Sequence, residues 1–345
     1  MDIATAQRLW EPQPGWLNTA SYGLPPTPAW DELQTALEAW RHGAHSWEQW
    51  DESVVRARAS FARLVGVQAG DVAIGGTISE LIGLIAAALP DEARVLVPEV
   101  EFTSNLFPWL VQADRGVEIR MVPADRLAES VDARTTVVAL SAVQSSTGDV
   151  SDLDAVVDAA RAVDALVVVD ATQAVGWLPV DASRVDALAS SAYKWLMSPR
   201  GTAFMALSER LQSRLRPVSA GWYAGADPYS SYYGPPLRLA EDARRFDVSP
   251  AWFSWVGTAP TLELVEEIGV DAIHDHDVAL ANRFRAGLGL EPGTSPIVSA
   301  SIPAAKERLK RAGIRAASRA GSLRVSFHVY STEADVDAAL DALVD

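Results

Sequence analysis

The chain of 345 residues carries 45 acidic against 29 basic side chains, a formal net charge of −16, an apolar fraction of 49% and no cysteine. That length and composition suit an ordinary globular protein with one large domain and a smaller one. The acidity argues against nucleic acid as a partner, because phosphate binding needs a basic face. The missing thiols exclude disulfides, thiolate metal sites and a cysteine nucleophile.

The N-terminal MDIATAQRLWEPQPGW lacks the basic start and apolar run of a signal peptide. Stretches such as LIGLIAAALP are too short to span a membrane, so a cytoplasmic protein with no membrane contact is expected. Residues 30–65 read as helix, with Leu33, Leu37 and Trp40 on one face and Phe61, Leu64 and Val65 on another. DVAIGGTISELIGLIAAAL predicts a short strand, a glycine turn and an apolar helix. Compact β-branched runs follow, RVLVPE, VEIRMVP, TTVVALS, ALVVVDA and DALASSAY leading to GTAFMAL, separated by helical spacers. One spacer, SDLDAVVDAARAVD, opens with Ser151 and Asp154 as a capping-box variant. Continuous apolar strands alternating with helices predict a mostly parallel sheet covered on both faces.

The turn-rich, aromatic stretch from Gly221 to Asp247 predicts an ordered loop over a site or at a subunit contact. TLELVEEIGVDAIHDHDVALANRFRAGL then reads as one long helix, and its HDHD as a charged face rather than a metal site. The end of the chain predicts strand PIVSASI, helix PAAKERLKRAG, strand SLRVSFHV and helix TEADVDAALDALV. Residues 20–247 are expected to form a large cofactor-binding domain. Residues 1–19 with 248–345 are expected to form a small α+β domain and its linking helix.

Of the 29 basic residues, 26 are arginines and three are lysines, two of them together at Lys306 and Lys310. Lys194 is the other, in SSAYKW. Asp170 ends the apolar run ALVVVD, where open α/β sheets bind ligands, although capping the following turn is the ordinary role of such a residue. GGTISE offers a glycine turn opening a helix, whose free N–H groups and Ser79 hydroxyl suit a phosphate. Taken alone, that turn is commonplace. A primary amine, a strand-end carboxylate and a phosphate cradle together meet the needs of pyridoxal phosphate. The lysine forms a Schiff base with its aldehyde, and the acid keeps its ring nitrogen protonated.

Nearly the whole length of the chain resembles the class V aminotransferase and cysteine desulfurase superfamily of pyridoxal-phosphate enzymes. The resemblance implies the aspartate-aminotransferase fold (fold type I), with a mostly parallel seven-stranded sheet and a small α+β C-terminal domain. LNTASYGLPPTP resembles the segment near the substrate pocket, which brings Ala20 and Tyr22 there. GGTISE implies Thr77, Ile78 and Ser79 on the phosphate, and EFTSNLFPW implies Phe102 stacked on the ring. DATQAVG matches the family's Asp-x-x-Gln, with Asp170 on the ring nitrogen and Gln173 on the ring oxygen. SSAYKW matches the Schiff-base motif, with Lys194 as the lysine and Ser191 and Tyr193 toward the phosphate. RRFDVSPAW implies that Ser249 crosses a homodimer interface to the partner's phosphate. SLRVSFHVYSTEADVD implies Arg324 as the clamp for the substrate carboxylate, a planar task suited to a guanidinium. Arg319 is a second anion contact.

Two departures stand out. A desulfurase carries its persulfide on cysteine, and this chain has none. The position where many relatives place Asn or His near the ring oxygen is Ala142, with Gln144 as its substitute. The resemblance therefore implies an enzyme that acts on an amino acid through a Lys194 aldimine and a quinonoid carbanion. Transamination ranks first by family frequency, then β-elimination (a carbon–sulfur lyase), then epimerisation. A dinucleotide-dependent oxidoreductase would leave Lys194 and DATQAVG unexplained, and GGTISE lacks its third spaced glycine. The intact amine, acid and cradle weigh against a non-catalytic binding protein, which ranks below the enzyme readings.

Overall fold

The computed structural model describes residues 1–344. Seven strands build the large sheet: β1 Val72–Gly75, β2 Arg94–Pro98, β3 Glu118–Val122, β4 Val137–Ser141, β5 Leu166–Asp170, β6 Ala187–Ser191 and β7 Ala203–Leu207. Their order is β1-β7-β6-β5-β4-β2-β3, with β7 antiparallel to its neighbours and the pairings from β6 to β3 parallel. All strands except the edge strand β3 are buried at every position. Their uninterrupted apolar runs reflect a sheet with helices on both faces. Alternate side chains serve two cores. Val95 and Val97 pack with Ile82 and Trp109 on one face, while Leu96, Val138 and Leu140 pack with Phe61 and Val156 on the other.

The chain steps outward from β2 to β3, then returns past β2 to β4, β5 and β6. That reversal opens a crevice beyond the carboxyl ends of β2 and β4, the usual ligand position in open α/β sheets. The smaller sheet holds β8 Ile297–Ala300, β9 Ala317–Arg319 and β10 Ser322–Ser326 in the antiparallel order β8-β10-β9. Its own core includes Leu17, Phe284, Val325, Phe327 and Val336. The helix Trp252–Ile268, which the sequence reading joined to the small domain, instead buries Trp255, Leu262 and Val265 in the large domain's core.

Three local expectations are corrected. The helix expected over 30–65 is two helices, Thr27–Arg41 and Trp47–Leu64. Gly43 at φ +63° ends the first, and a capping box of Ser46 with Gln49 opens the second. The long helix expected after Thr261 is likewise broken, at Gly269 with φ +91°, between Trp252–Ile268 and Val270–Gly287. The cap of Leu153–Ala162 is Asp152, whose carboxylate accepts from Ala155 N–H at 3.0 Å. Ser151 instead donates to the Ser141 carbonyl at 2.7 Å.

Candidate active site

The crevice holds a cavity of about 270 Å³. Three of its walls come from strand ends. Asp170 closes β5, Ser191 closes β6 with Tyr193 and Lys194 just beyond, and the N-terminus of helix Ile78–Ala87 follows β1. Thr77, Ile78 and Ser79 line the cavity, with Thr77 capping the helix through a bond from Glu80 N–H at 3.3 Å. The exposed N–H groups and positive dipole end of this helix face the space, as an anion requires.

Lys194 is 6% exposed and its Nζ makes no hydrogen bond among the described residues. Burial is the main cause that lowers its pKa to about 8; Asp170 opposes that fall, while Arg324, Arg319 and Arg200 add to it. Phe102, half-exposed, lies with its ring centroid 5.5 Å from Nζ, and the Tyr193 centroid lies 5.8 Å away. Asp170 is buried and accepts from Thr172 N–H at 2.9 Å. Burial raises its pKa above the usual carboxylate range, which the Thr172 bonds and Lys194 moderate. Gln173 is held on three sides: it donates to the Ala20 carbonyl and Ser145 Oγ, both at 3.0 Å, and accepts from Trp195 Nε1 at 2.8 Å.

Arg324, 1% exposed, projects from β10 to donate to the Ser145 carbonyl at 2.5 Å and to Ser21 Oγ at 2.9 Å. Its Nε has no partner, and burial with Arg319 nearby lowers its pKa to about 10. Arg319, exposed on β9, reaches the same Ser21 Oγ at 3.4 Å. Ala20 is buried and contributes its backbone, whereas Tyr22 is half-exposed, packs on Trp16 and lines the neighbouring grooves.

Not every expected residue reaches the cavity. Ala142 and Gln144 are buried but do not line it, and both polar atoms of the Gln144 amide lack partners. Ser145 lines the cavity in their place. Ser249 is exposed and lies outside the cavity of its own chain. Sequence reasoning missed Ser104, Ser141, Thr172 and Arg200, which also line it. The Arg200 guanidinium stacks 4.2 Å from the Tyr193 ring centroid. It also missed Glu101, which accepts from Ser141 N–H at 2.8 Å and Phe102 N–H at 2.9 Å and so ties the β2 loop to β4. Of these, Thr172, inside DATQAVG, and Glu101 and Ser104, inside EFTSNLFPW, were within reach of a motif.

The class-V aminotransferase family model matches residues 33–309. The chain belongs to this family. An uncharacterized aminotransferase of Bacillus subtilis is 25% identical over 333 residues, 90% of this chain and 88% of that protein. An isopenicillin N epimerase of Streptomyces clavuligerus is 29% identical over 337 residues, 84% of this chain and 83% of its own. A solved cystine C–S lyase, bound to its product cysteine persulfide, superposes with a TM-score of 0.87 at 21% identity, covering 96% of this chain and 98% of that one. The Escherichia coli cysteine desulfurase CsdA gives 0.85 at 20% identity, covering 100% and 98%. The fold is that of the fold type I pyridoxal-phosphate enzymes, as expected, and the chain is a pyridoxal-phosphate enzyme of class V. The donor set in the cavity fits that cofactor: an unbonded buried amine, a buried carboxylate, a helix N-terminus and an aromatic face converge on one space.

Proposed function

We propose that this enzyme converts an amino acid at the Lys194 cavity, with transamination as the first reading of the outcome. The observation that carries the reading is the buried, unbonded Lys194 amine facing Asp170 and a helix N-terminus within one cavity. When bound, pyridoxal phosphate supplies an aldehyde that joins amines and a ring that accepts the electron pair released at the substrate α-carbon. Thr77, Ile78, Ser79, Ser191 and Tyr193 hold its phosphate, Phe102 covers one ring face, and Gln173 meets the ring oxygen. Asp170 holds a proton at the ring nitrogen. Arg324, seconded by Arg319, takes the substrate carboxylate, which places the α-hydrogen within reach of Lys194. Nζ of Lys194 then removes that proton as general base and returns it, and a pKa near 8 leaves part of the amine neutral close to physiological pH. Ser249 serves the site of a partner subunit across a homodimer interface.

Epimerisation is the second reading, favoured by the epimerase relative that aligns over 84% of this chain. A persulfide-carrying desulfurase mechanism is excluded on this chain, because it holds no cysteine. The deciding experiment is a panel of amino acids assayed separately for keto acid, for pyruvate with ammonia, and for loss of optical activity. Keto acid formation with a keto-acid co-substrate supports transamination. Racemisation alone moves the enzyme to the epimerases, and pyruvate with ammonia moves it to the lyases.

A further inference from the structure

Opposite the cofactor cavity, a second polar constellation lies wholly inside the protein. His328 and Asp277 are both 0% exposed, with His328 Nδ1 2.7 Å from Asp277 Oδ2 and Nε2 2.9 Å from the backbone carbonyl of Trp195. A carbonyl only accepts, so Nε2 carries a hydrogen and donates it, and Asp277 holds the ring from its other side. The ring is further fixed by edge-on contacts with Trp195 at 5.2 Å and Tyr330 at 5.6 Å. Trp195 directly follows Lys194, and His328 lies four residues after Arg324 in the segment that continues β10.

Stability alone does not account for this pair. Buried ion pairs are often matched or surpassed by apolar residues of similar volume. Asp277 Oδ1 also lacks a hydrogen-bond partner, a further cost. What the pair achieves is placement. Asp277 comes from helix Val270–Gly287, His328 from the segment just after β10, and Trp195 from the turn that carries Lys194. Gly176 leaves the Trp195 carbonyl room, since a Cβ there would stand 2.6 Å from its oxygen.

We propose that Asp277 and His328 are positioning residues, a latch that sets the spacing between the Lys194 amine and the Arg324 guanidinium. The latch rests on the reading of Lys194 as cofactor lysine and Arg324 as carboxylate clamp. Its consequence is that the site discriminates amines by whether a carboxylate reaches Arg324 while the amine reaches the cofactor.

The test compares aminooxyacetate, which bears a carboxylate, with methoxyamine, which does not, as the rate at which each bleaches the visible band of the holoenzyme. In wild type aminooxyacetate is the faster. His328→Leu is expected to reduce that preference by about tenfold, the scale of a misplaced reacting group. His328→Gln, which retains an N–H toward Trp195, restores most of it. Identical preferences in all three proteins, with only the melting temperature lowered in the variants, would overturn the latch. Should His328→Leu not fold, proton NMR of the wild type decides: the buried ring N–H resonances of His328 must shift when the cofactor is loaded, and unmoved resonances would overturn it. A wild type without a preference removes the Arg324 clamp and the latch with it. A wild type that never becomes coloured removes the Lys194 reading itself.

Discussion

At the scale of single residues, the site depends on moving charge out of water. Burial lowers the Lys194 pKa from 10.5 to about 8, so between those values the unfolded chain binds more protons than the folded one. Stability of the cofactor-free protein should therefore rise with pH across that window, and the full penalty, on the order of 3 kcal/mol, applies below about pH 8. Lys194→Met removes the penalty. Calorimetry should find the cofactor-free variant melting above wild type at pH 7, with the gap closing toward pH 10. A variant that melts below wild type at pH 7 would show that the amine is not desolvated. Asp170 is tuned the opposite way, its carboxyl raised by burial and so ready to share a proton with a ring nitrogen. Asp170→Ala is expected to keep measurable cofactor by absorbance but lose turnover by two or more orders of magnitude, within the range of general acid–base effects. Turnover within a few fold of wild type would remove Asp170 from the chemistry.

At the scale of elements, the Lys194 turn is braced by close backbone approach. Gly23 N–H donates to the Tyr193 carbonyl at 2.9 Å, and a Cβ at Gly23 would fall 2.1 Å from the Lys194 carbonyl oxygen and 2.9 Å from Met197 Cα. Gly23→Ala must therefore displace the turn, and the expected result is a folded protein by far-UV circular dichroism that fails to develop the visible cofactor band. A normal band would show that the turn tolerates displacement. Much at this scale was legible in the sequence. The strands of the large sheet other than β3, buried on both faces, write themselves as compact apolar runs. The motifs around Asp170 and Lys194 stand at strand ends, where the alternation of strand and helix already points. The helix breaks at Gly43 and Gly269 were hidden because apolar spacing continues across them. β9 has three residues, two of them exposed, and so leaves no period to read. Ser145 rather than Gln144 lines the cavity because a turn after β4, closed by Gly148 N–H on the Gln144 carbonyl, decides which side chain faces inward. His328 and Asp277 meet across 51 positions, a contact that one sequence cannot announce.

At the scale of the whole molecule, Leu17 carries the N-terminal segment into the core beneath the small sheet, while Ala6 and Trp10 join the larger core. Among the described residues no helix is long and apolar enough to cross a membrane. Large aromatic side chains nevertheless stay in contact with water: Trp30, Trp40 and Phe107 are 54%, 60% and 56% exposed. Such exposure fits a surface that a second copy covers. Asp247, buried against Arg58 at 2.6 Å and accepting from Ile74 N–H at 2.8 Å, anchors the backbone two residues before the exposed Ser249. Light scattering coupled to gel filtration should give the mass of a dimer. A monomer with full cofactor content would remove Ser249 from any site. Whether Lys194 is the residue that holds the cofactor is read out by reducing the protein with borohydride in the presence of pyridoxal phosphate and mapping its peptides by mass. The expected result is a pyridoxyl adduct on the peptide containing Lys194, absent from Lys194→Ala; an adduct confined to Lys306 or Lys310, or none at all, would contradict it.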